Sequence, residues 1–386
     1  MHLYLHVPFC VRRCSYCDFS IAVRKRIPAE EYVQAVRTEL ALPHRSQGWT
    51  DPAAMPRGST IYFGGGTPSL LPPEAIADLL GVLTPGCQPG VNEPTPGADV
   101  EVTLEANPED VTPDAARAWQ RAGINRVSLG AQSFDDTVLK WMHRSHHAAR
   151  IGAAVHALRG AGIENISLDL IFALPDELHR DWERDLDLAL ALRPTHLSLY
   201  GLTVEPRTPL DRWISRGATR APDDERYAEE YLTAHRRLTT ESYEFYEVSN
   251  AARDGFRSRH NSAYWSGRPY VGLGPAAHSF DGTTRRWNIR AWEAYRRALA
   301  EGRSPVESEE VLTDEQGEIE RIYLGLRTAE GVPLAAVSPR RPSPPPNLAA
   351  QGWIEVRDGR LKCTPEGWLR LDSLVNELTM HSETQS

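Results

Sequence analysis

Strand-like and helix-like stretches alternate over the first two-thirds of the chain, and this alternation constrains the fold more than any other feature. Strand candidates fall at residues 3–7, 60–63, 100–104, 126–129, 166–171, 196–199 and 243–248. Each is short, rich in Val, Ile, Leu, Tyr and Phe, and bounded by Gly, Pro or Asn. Between them apolar residues recur at helical spacing, as in Tyr32, Val33, Val36 and Leu40, or Trp182, Leu186, Ala189 and Leu190. Thr112-Pro113-Asp114 places a capping residue before a first-turn proline, and Pro72-Pro73-Glu74 is similar. Gly123 and Gly162 supply helix stops. Repeated strand–helix units imply a parallel sheet with helices outside. Six or seven units predict an α/β fold, a full or partial (β/α) TIM-like barrel, whose ligands gather on the loops that follow the strands.

The pattern changes after residue 280. Helices are expected at 291–300 and 314–326, then a hairpin at 352–363 around an Asp358-Gly359 turn, then a last helix over 365–378. This predicts two domains: a barrel domain at 1–280 and a small α+β, winged-helix-like C-terminal domain at 281–386. No helix there is rich in Lys or Arg, so the small domain reads as a packing or partner-binding unit. Proline-rich stretches at 84–97 and 338–347 read as surface insertions.

The 386 residues carry a formal net charge of −9, which argues against a nucleic-acid partner; Arg12, Arg13, Arg24, Lys25 and Arg26 form only a local basic patch. No apolar run is long enough to span a bilayer, and the first seven residues do not read as a secretory signal, so the cytoplasm is the expected compartment. Of five cysteines, Cys87 and Cys363 stand alone and read as isolated thiols. The other three, Cys10, Cys14 and Cys17, fall within eight residues. Such a tight group indicates ligation of a metal or cluster, not a disulfide framework.

The C-x3-C-x2-C spacing follows the first strand. Three thiolates this close can ligate three irons of a 4Fe–4S cube and leave the fourth open. Arg12 and Arg13 beside them are expected to lower the thiol pKa values. A zinc site would need His6 or Asp18 as its fourth ligand, and cysteines without metal are the plainest alternative. Gly64-Gly65-Gly66-Thr67-Pro68 follows the second strand. It could let backbone approach a ligand, and a tight strand-to-helix turn explains it equally well. Glu105, Gln132 and Asp169 stand at or near the ends of apolar strands, where a polar side chain is costly unless paired or bound to a ligand. A structural ion pair, such as Arg144 with Asp169, is the alternative.

Together the cysteine spacing and the glycine loop resemble the radical S-adenosylmethionine (SAM) superfamily. There the open iron chelates the amino and carboxylate groups of SAM, and reduction splits off a deoxyadenosyl radical. Glu105-Ala106-Asn107-Pro108, Gly130-Ala131-Gln132-Ser133-Phe134, Arg144 and Asp169 further resemble the oxygen-independent coproporphyrinogen III oxidase family. That resemblance implies SAM contacts for Tyr4, Tyr16, Gly65, Gly66, Thr67, Glu105, Gln132, Arg144 and Asp169.

Within that family the oxidase branch carries a fourth cysteine two residues after the third, where this chain has Phe19, and a long segment ahead of its cluster, where Cys10 is near the start. His260-Asn261-Ser262-Ala263-Tyr264-Trp265 resembles instead the haem-chaperone branch, and so does the stretch at 272–279. This resemblance implies haem binding and delivery to an acceptor protein, with His260 as axial ligand and Tyr264 and Trp265 as flat porphyrin surfaces. His278 ranks behind His260, and a satisfied histidine in a turn is the alternative for the motif. The expected partners are haem or porphyrin, a haem-acceptor protein, an unidentified electron donor and, transiently, a membrane. The runners-up are a true oxidase that decarboxylates coproporphyrinogen and, from another class, a zinc-dependent binding module. His143, His146 and His147 read as a solvated helix end.

Overall fold

The computed structural model of the chain describes residues 1–42, 57–84, 99–337 and 346–379. The proline-rich stretches at 84–97 and 338–347 lie almost wholly outside these residues, as does Cys87. All seven expected strands form, and they belong to one nine-stranded sheet. Its order is Val271–Leu273, His2–Val7, Thr60–Gly65, Glu101–Ala106, Arg126–Gln132, Asn165–Phe172, His196–Gly201, Asn250–Ala252 and Glu244–Glu247. The first seven are parallel to one another and the last two run antiparallel. The outermost strands do not pair with each other, so the sheet curls into a partial barrel.

Alternation along each strand gives the barrel two different faces. Leu3, Leu5, Ile61, Phe63, Leu104, Leu129 and Leu168 point outward into one core with Tyr32, Leu79, Trp119 and Leu158 from the surrounding helices. The inward residues are polar: Tyr62 donates to Glu105, and Ser128 and Ser167 donate to Asp169. Barrel interiors are commonly filled by branched apolar side chains; a polar interior needs internal partners or a ligand.

The expected helix signals work as written. The Thr112 hydroxyl accepts from Ala115 N, Pro113 opens the helix Pro113–Ala122, and Gly123 at φ 109° closes it. The helix Arg259–Trp265, whose start Ser258 caps, presses His260 against Thr60 and Tyr62 on the inner face.

Beyond the barrel the structure adds a three-stranded antiparallel sheet that the sequence reading did not anticipate: His278–Phe280, Thr284–Asn288 and Val306–Val311. The helix Trp292–Ala300 then returns to the barrel, with Trp292 packed on Phe9 and Tyr32. Asp314–Leu326 is a helix with a Thr313/Gln316 capping box, as expected. The hairpin Ile354–Arg357 and Arg360–Cys363 turns through Asp358 and Gly359, both at positive φ. The last expected helix is broken in two, Pro365–Trp368 and Leu371–Thr379. The break lets the Trp368 indole donate to Leu326 O while Leu374, Val375 and Leu378 enter the core.

One buried carboxylate ties the first helix, Ala29–Leu40, to the segment that follows the last parallel strand. Glu39 accepts from Gly274 N (2.9 Å), the Asn288 amide (2.7 Å) and the Tyr295 hydroxyl (2.6 Å). Glu39→Ala strips these donors of their shared acceptor inside the protein, and each unsatisfied buried group costs about 1–3 kcal/mol. We expect a loss of about 3 kcal/mol or more in urea unfolding; an unchanged midpoint would show that the clamp is not structural.

Candidate functional site

Cys10 ends the short strand Phe9–Cys10, which pairs with Ala22–Val23 and so closes the intervening loop. Ser15 pins that loop at both sides: its N–H donates to Met142 O (3.1 Å) and its carbonyl accepts from Leu210 N (2.8 Å). The glycine loop lies alongside, with Gly66 N on Val7 O and Thr67 N on Phe9 O, both at 2.8 Å. The Thr67 hydroxyl donates to Cys10 Sγ at 3.3 Å, and Arg144 Nη1 reaches Cys14 Sγ at 3.7 Å. The glycines answer to packing as well: a Cβ on Gly65 would sit 2.7 Å from the His6 ring, and one on Gly66 would sit 2.8 Å from Phe9 O.

These elements enclose a cavity of about 410 Å³. Its wall holds Cys10, Cys14 and Cys17 together with Tyr16, Gly65, Gly66, Thr67, Glu105, Gln132, Arg144 and Asp169. Of the residues expected to contact SAM, Tyr4 alone lies elsewhere. Its ring packs on Tyr62 and His260 and lines a second, larger cavity.

Burial dominates the electrostatics. It pushes the Cys10 thiol up and the Cys17 thiol up to about 11, and the neighbouring thiols add to the rise. Arg13 acts on both thiols in the expected direction, but loss of water outweighs it and the net shift is upward. Arg12 donates to the carbonyls of His143 and Arg144, and Arg13 donates to Cys17 O. A metal that binds here must displace protons. Burial also raises Glu105 to about 7, against the Tyr62 hydroxyl and Gly65 N–H that favour its charged form. It raises Asp169 in spite of the Ser198, Ser128 and Ser167 hydroxyls.

The Arg144–Asp169 ion pair does not form. Arg144 donates to Asn107 Oδ1 and Gly130 O instead, and its buried Nε has no hydrogen-bond partner. Gln132 sits at a β-bulge with φ 65°, a strained value for a residue with a side chain, and its amide has no hydrogen-bond partner among the described residues. An open guanidinium edge, an open amide, two carboxylates held by hydroxyls and three thiols suit SAM beside an iron–sulfur cube. The guanidinium suits its carboxylate, and the carboxylates suit its ammonium and ribose hydroxyls. No three His, Cys, Asp or Glu side chains among the described residues group around a point where one metal ion could bind.

His260 is 1% exposed, and both ring nitrogens are engaged: Nδ1 with the Thr60 hydroxyl at 2.7 Å and Nε2 with the Tyr264 hydroxyl at 2.8 Å. Burial lowers its pKa to about 3. As placed it offers no free nitrogen to an iron, which matches the satisfied-histidine alternative. His278 is exposed, and burial of part of its ring together with Arg285 and Arg290 lowers its pKa. His146 corrects the solvated-helix-end reading: its ring is buried, with Nε2 on Ala131 O and Nδ1 facing Glu109, whereas His147 is exposed. Tyr62, Ser128, Ser167 and Ser198 escaped the sequence reading. The signal was there, since each lies an even number of residues from an inward-facing polar side chain on its strand or pairs with one across the sheet.

A partial barrel with three cysteines on its first loop, and this pocket beside them, defines the radical SAM class. The family model described as the radical SAM superfamily matches residues 4–189, and the HemN C-terminal domain matches residues 312–370. A Mycobacterium tuberculosis (strain H37Rv) protein named Heme chaperone HemW is 36% identical over 379 residues, covering 97% of this chain and 94% of that protein. The Bacillus subtilis (strain 168) protein of the same name is 33% identical over 376 residues, covering 95% of this chain and 96% of that one. The chain belongs to this HemW family of radical SAM proteins. The solved structure of coproporphyrinogen III oxidase (HemN) from Escherichia coli shares the fold, with a TM-score of 0.77 at 21% identity over 98% of this chain and 89% of that one.

A raised carboxyl pKa in the fold favours folding below its unfolded value, and that contribution is lost as the pH rises through the folded value. For Glu105 the window runs from about 4.5 to about 7. Glu105→Gln in cluster-free protein is therefore expected to gain stability relative to wild type between pH 4.5 and 7.5, read by denaturant midpoints. A difference independent of pH would mean that Glu105 is ionised throughout.

Proposed function

We propose that this chain is a haem chaperone that binds haem and hands it to acceptor proteins, and that it carries a 4Fe–4S cluster with SAM beside it. One observation carries the reading: the similarity to proteins named Heme chaperone HemW extends over 97% of the chain, C-terminal region included. Phe19 supports it against the oxidase alternative, because that branch places a fourth cysteine two residues after the third.

Cys10, Cys14 and Cys17 would hold three irons of the cluster. When bound, the cluster supplies an electron and an open coordination position for SAM. Arg144 and Gln132 would grip the carboxylate of SAM, Glu105 its ammonium and Asp169 its ribose hydroxyls. Thr67 and Arg144, which already touch Cys10 and Cys14, stabilise thiolate charge there. No helix among the described residues is long and apolar enough to cross a membrane. In this reading the protein works in the cytoplasm, is reduced by an electron donor and meets its acceptor at a membrane surface in passing.

The test uses full-length protein reconstituted anaerobically. Wild type should retain iron and sulfide, Cys14→Ala should lose both, and Arg144→Ala should keep the cluster but bind SAM about tenfold more weakly, the loss of one charged hydrogen bond. Haem-loaded protein should pass haem to apomyoglobin. Conversion of coproporphyrinogen to protoporphyrinogen with SAM and a reductant would sink the chaperone reading in favour of the oxidase.

A further inference from the structure

A second cavity, larger than the cluster pocket, has a volume of about 1020 Å³ and lies between the inner face of the barrel's first strand, the sheet His278–Phe280, Thr284–Asn288 and Val306–Val311, and the helix Asp314–Leu326. Small-molecule sites commonly run from about 300 to 1,000 Å³, so this one accommodates a ligand larger than SAM. Tyr264 and Trp265 of the His260–Trp265 motif line it, and His260 does not.

Its walls carry the chemistry a metalloporphyrin needs. Tyr270, Phe280 and Trp287 give flat apolar surface. Arg268 and Arg290 point charge into it and have no carboxylate partner among the described residues, whereas Arg285 is already paired with Glu310 and Glu320. Two histidines line the space. His6 has Nε2 on Ser20 O and Nδ1 near the Tyr4 hydroxyl. His278 has neither nitrogen hydrogen-bonded among the described residues, and its ring stacks on Trp287 with centroids 5.9 Å apart. Phe19, 62% exposed, lines both this cavity and the cluster pocket, so the loop that carries Cys17 continues as a wall of the second space. An apolar ring left this open suits the face of a macrocycle.

We propose that this cavity is the haem site and that His278, not His260, supplies the axial nitrogen. Arg268 and Arg290 take the two propionates, and Tyr264, Trp287 and Phe19 bound the macrocycle. His260 acts one layer behind, holding Tyr264 in place through its hydroxyl. The inference rests on the haem-chaperone reading and deepens it.

The experiment is a haemin titration of reconstituted full-length protein, followed by visible absorption and electron paramagnetic resonance. Wild type should show the bands of histidine-ligated haem. His278→Gly should lose them, bind about tenfold or more weakly, and regain the spectrum on addition of imidazole, with iron and sulfide content unchanged. The double variant Arg268→Glu with Arg290→Glu should weaken binding about tenfold while keeping the ligation spectrum. If wild type binds haemin and His278→Gly gives the same spectrum and affinity, the site is overturned while the chaperone reading stands. If wild type binds no haemin, both fall. Loss of histidine bands in His260→Gln with retention in His278→Gly would return the ligand role to His260.

Discussion

The strict in–out alternation of the parallel strands is the constraint on which the rest depends. Leucine, isoleucine and phenylalanine hold the outer face to the helices, and this frees most of the inner face from that packing duty. Serine, glutamate, aspartate and tyrosine can then occupy the lumen, because neighbouring strands place them within reach of one another. Asp169 shows the arrangement most clearly, with hydroxyls from its own strand and an adjoining one converging on a single carboxylate. Once these side chains are satisfied among themselves, what they lack marks where a ligand fits: the Nε of Arg144 and the amide of Gln132.

Burial, more than pairing, sets the charge state of this interior. Cys10, Cys17, Glu105 and Asp169 move toward their neutral forms, even beside arginines. Local sequence could not give this result. Arg12 and Arg13 adjoin the cysteines in sequence, but their guanidinium groups reach carbonyl oxygens instead. Arg144 likewise leaves Asp169 to the serines and bonds Asn107 and Gly130.

Much of the molecule was legible in its residues, and the exceptions share a cause. Strand positions, the Thr112 cap, the Gly123 stop and the Asp358-Gly359 turn are local signals and appear where expected. The cysteine loop and the residues that the resemblance assigned to SAM were readable as motifs, and all of them but Tyr4 line one cavity. The sheet around Thr284–Asn288 was missed because its strands are short and one, Val306–Val311, is charged and almost wholly exposed, so it lacks the period of a buried strand. His260 takes the satisfied-histidine alternative that its residues allowed, against the ligand role that the resemblance implied: on a helix the fourth residue onward turns back over it, and Tyr264 closes its second nitrogen. His146 was misjudged because its environment comes from Ala131 and Glu109, which are remote in sequence.

The Glu39 clamp has a bearing on how the protein is made. The cysteines leave the ribosome well before residue 271, yet the strand His2–Val7 gains its second neighbour only with Val271–Leu273, and Glu39 finds its last donor only at Tyr295. Until that strand is made, three oxidisable thiols wait on an incomplete scaffold. A nascent chain stalled before residue 271 would present its sulfurs without the cradle built around them.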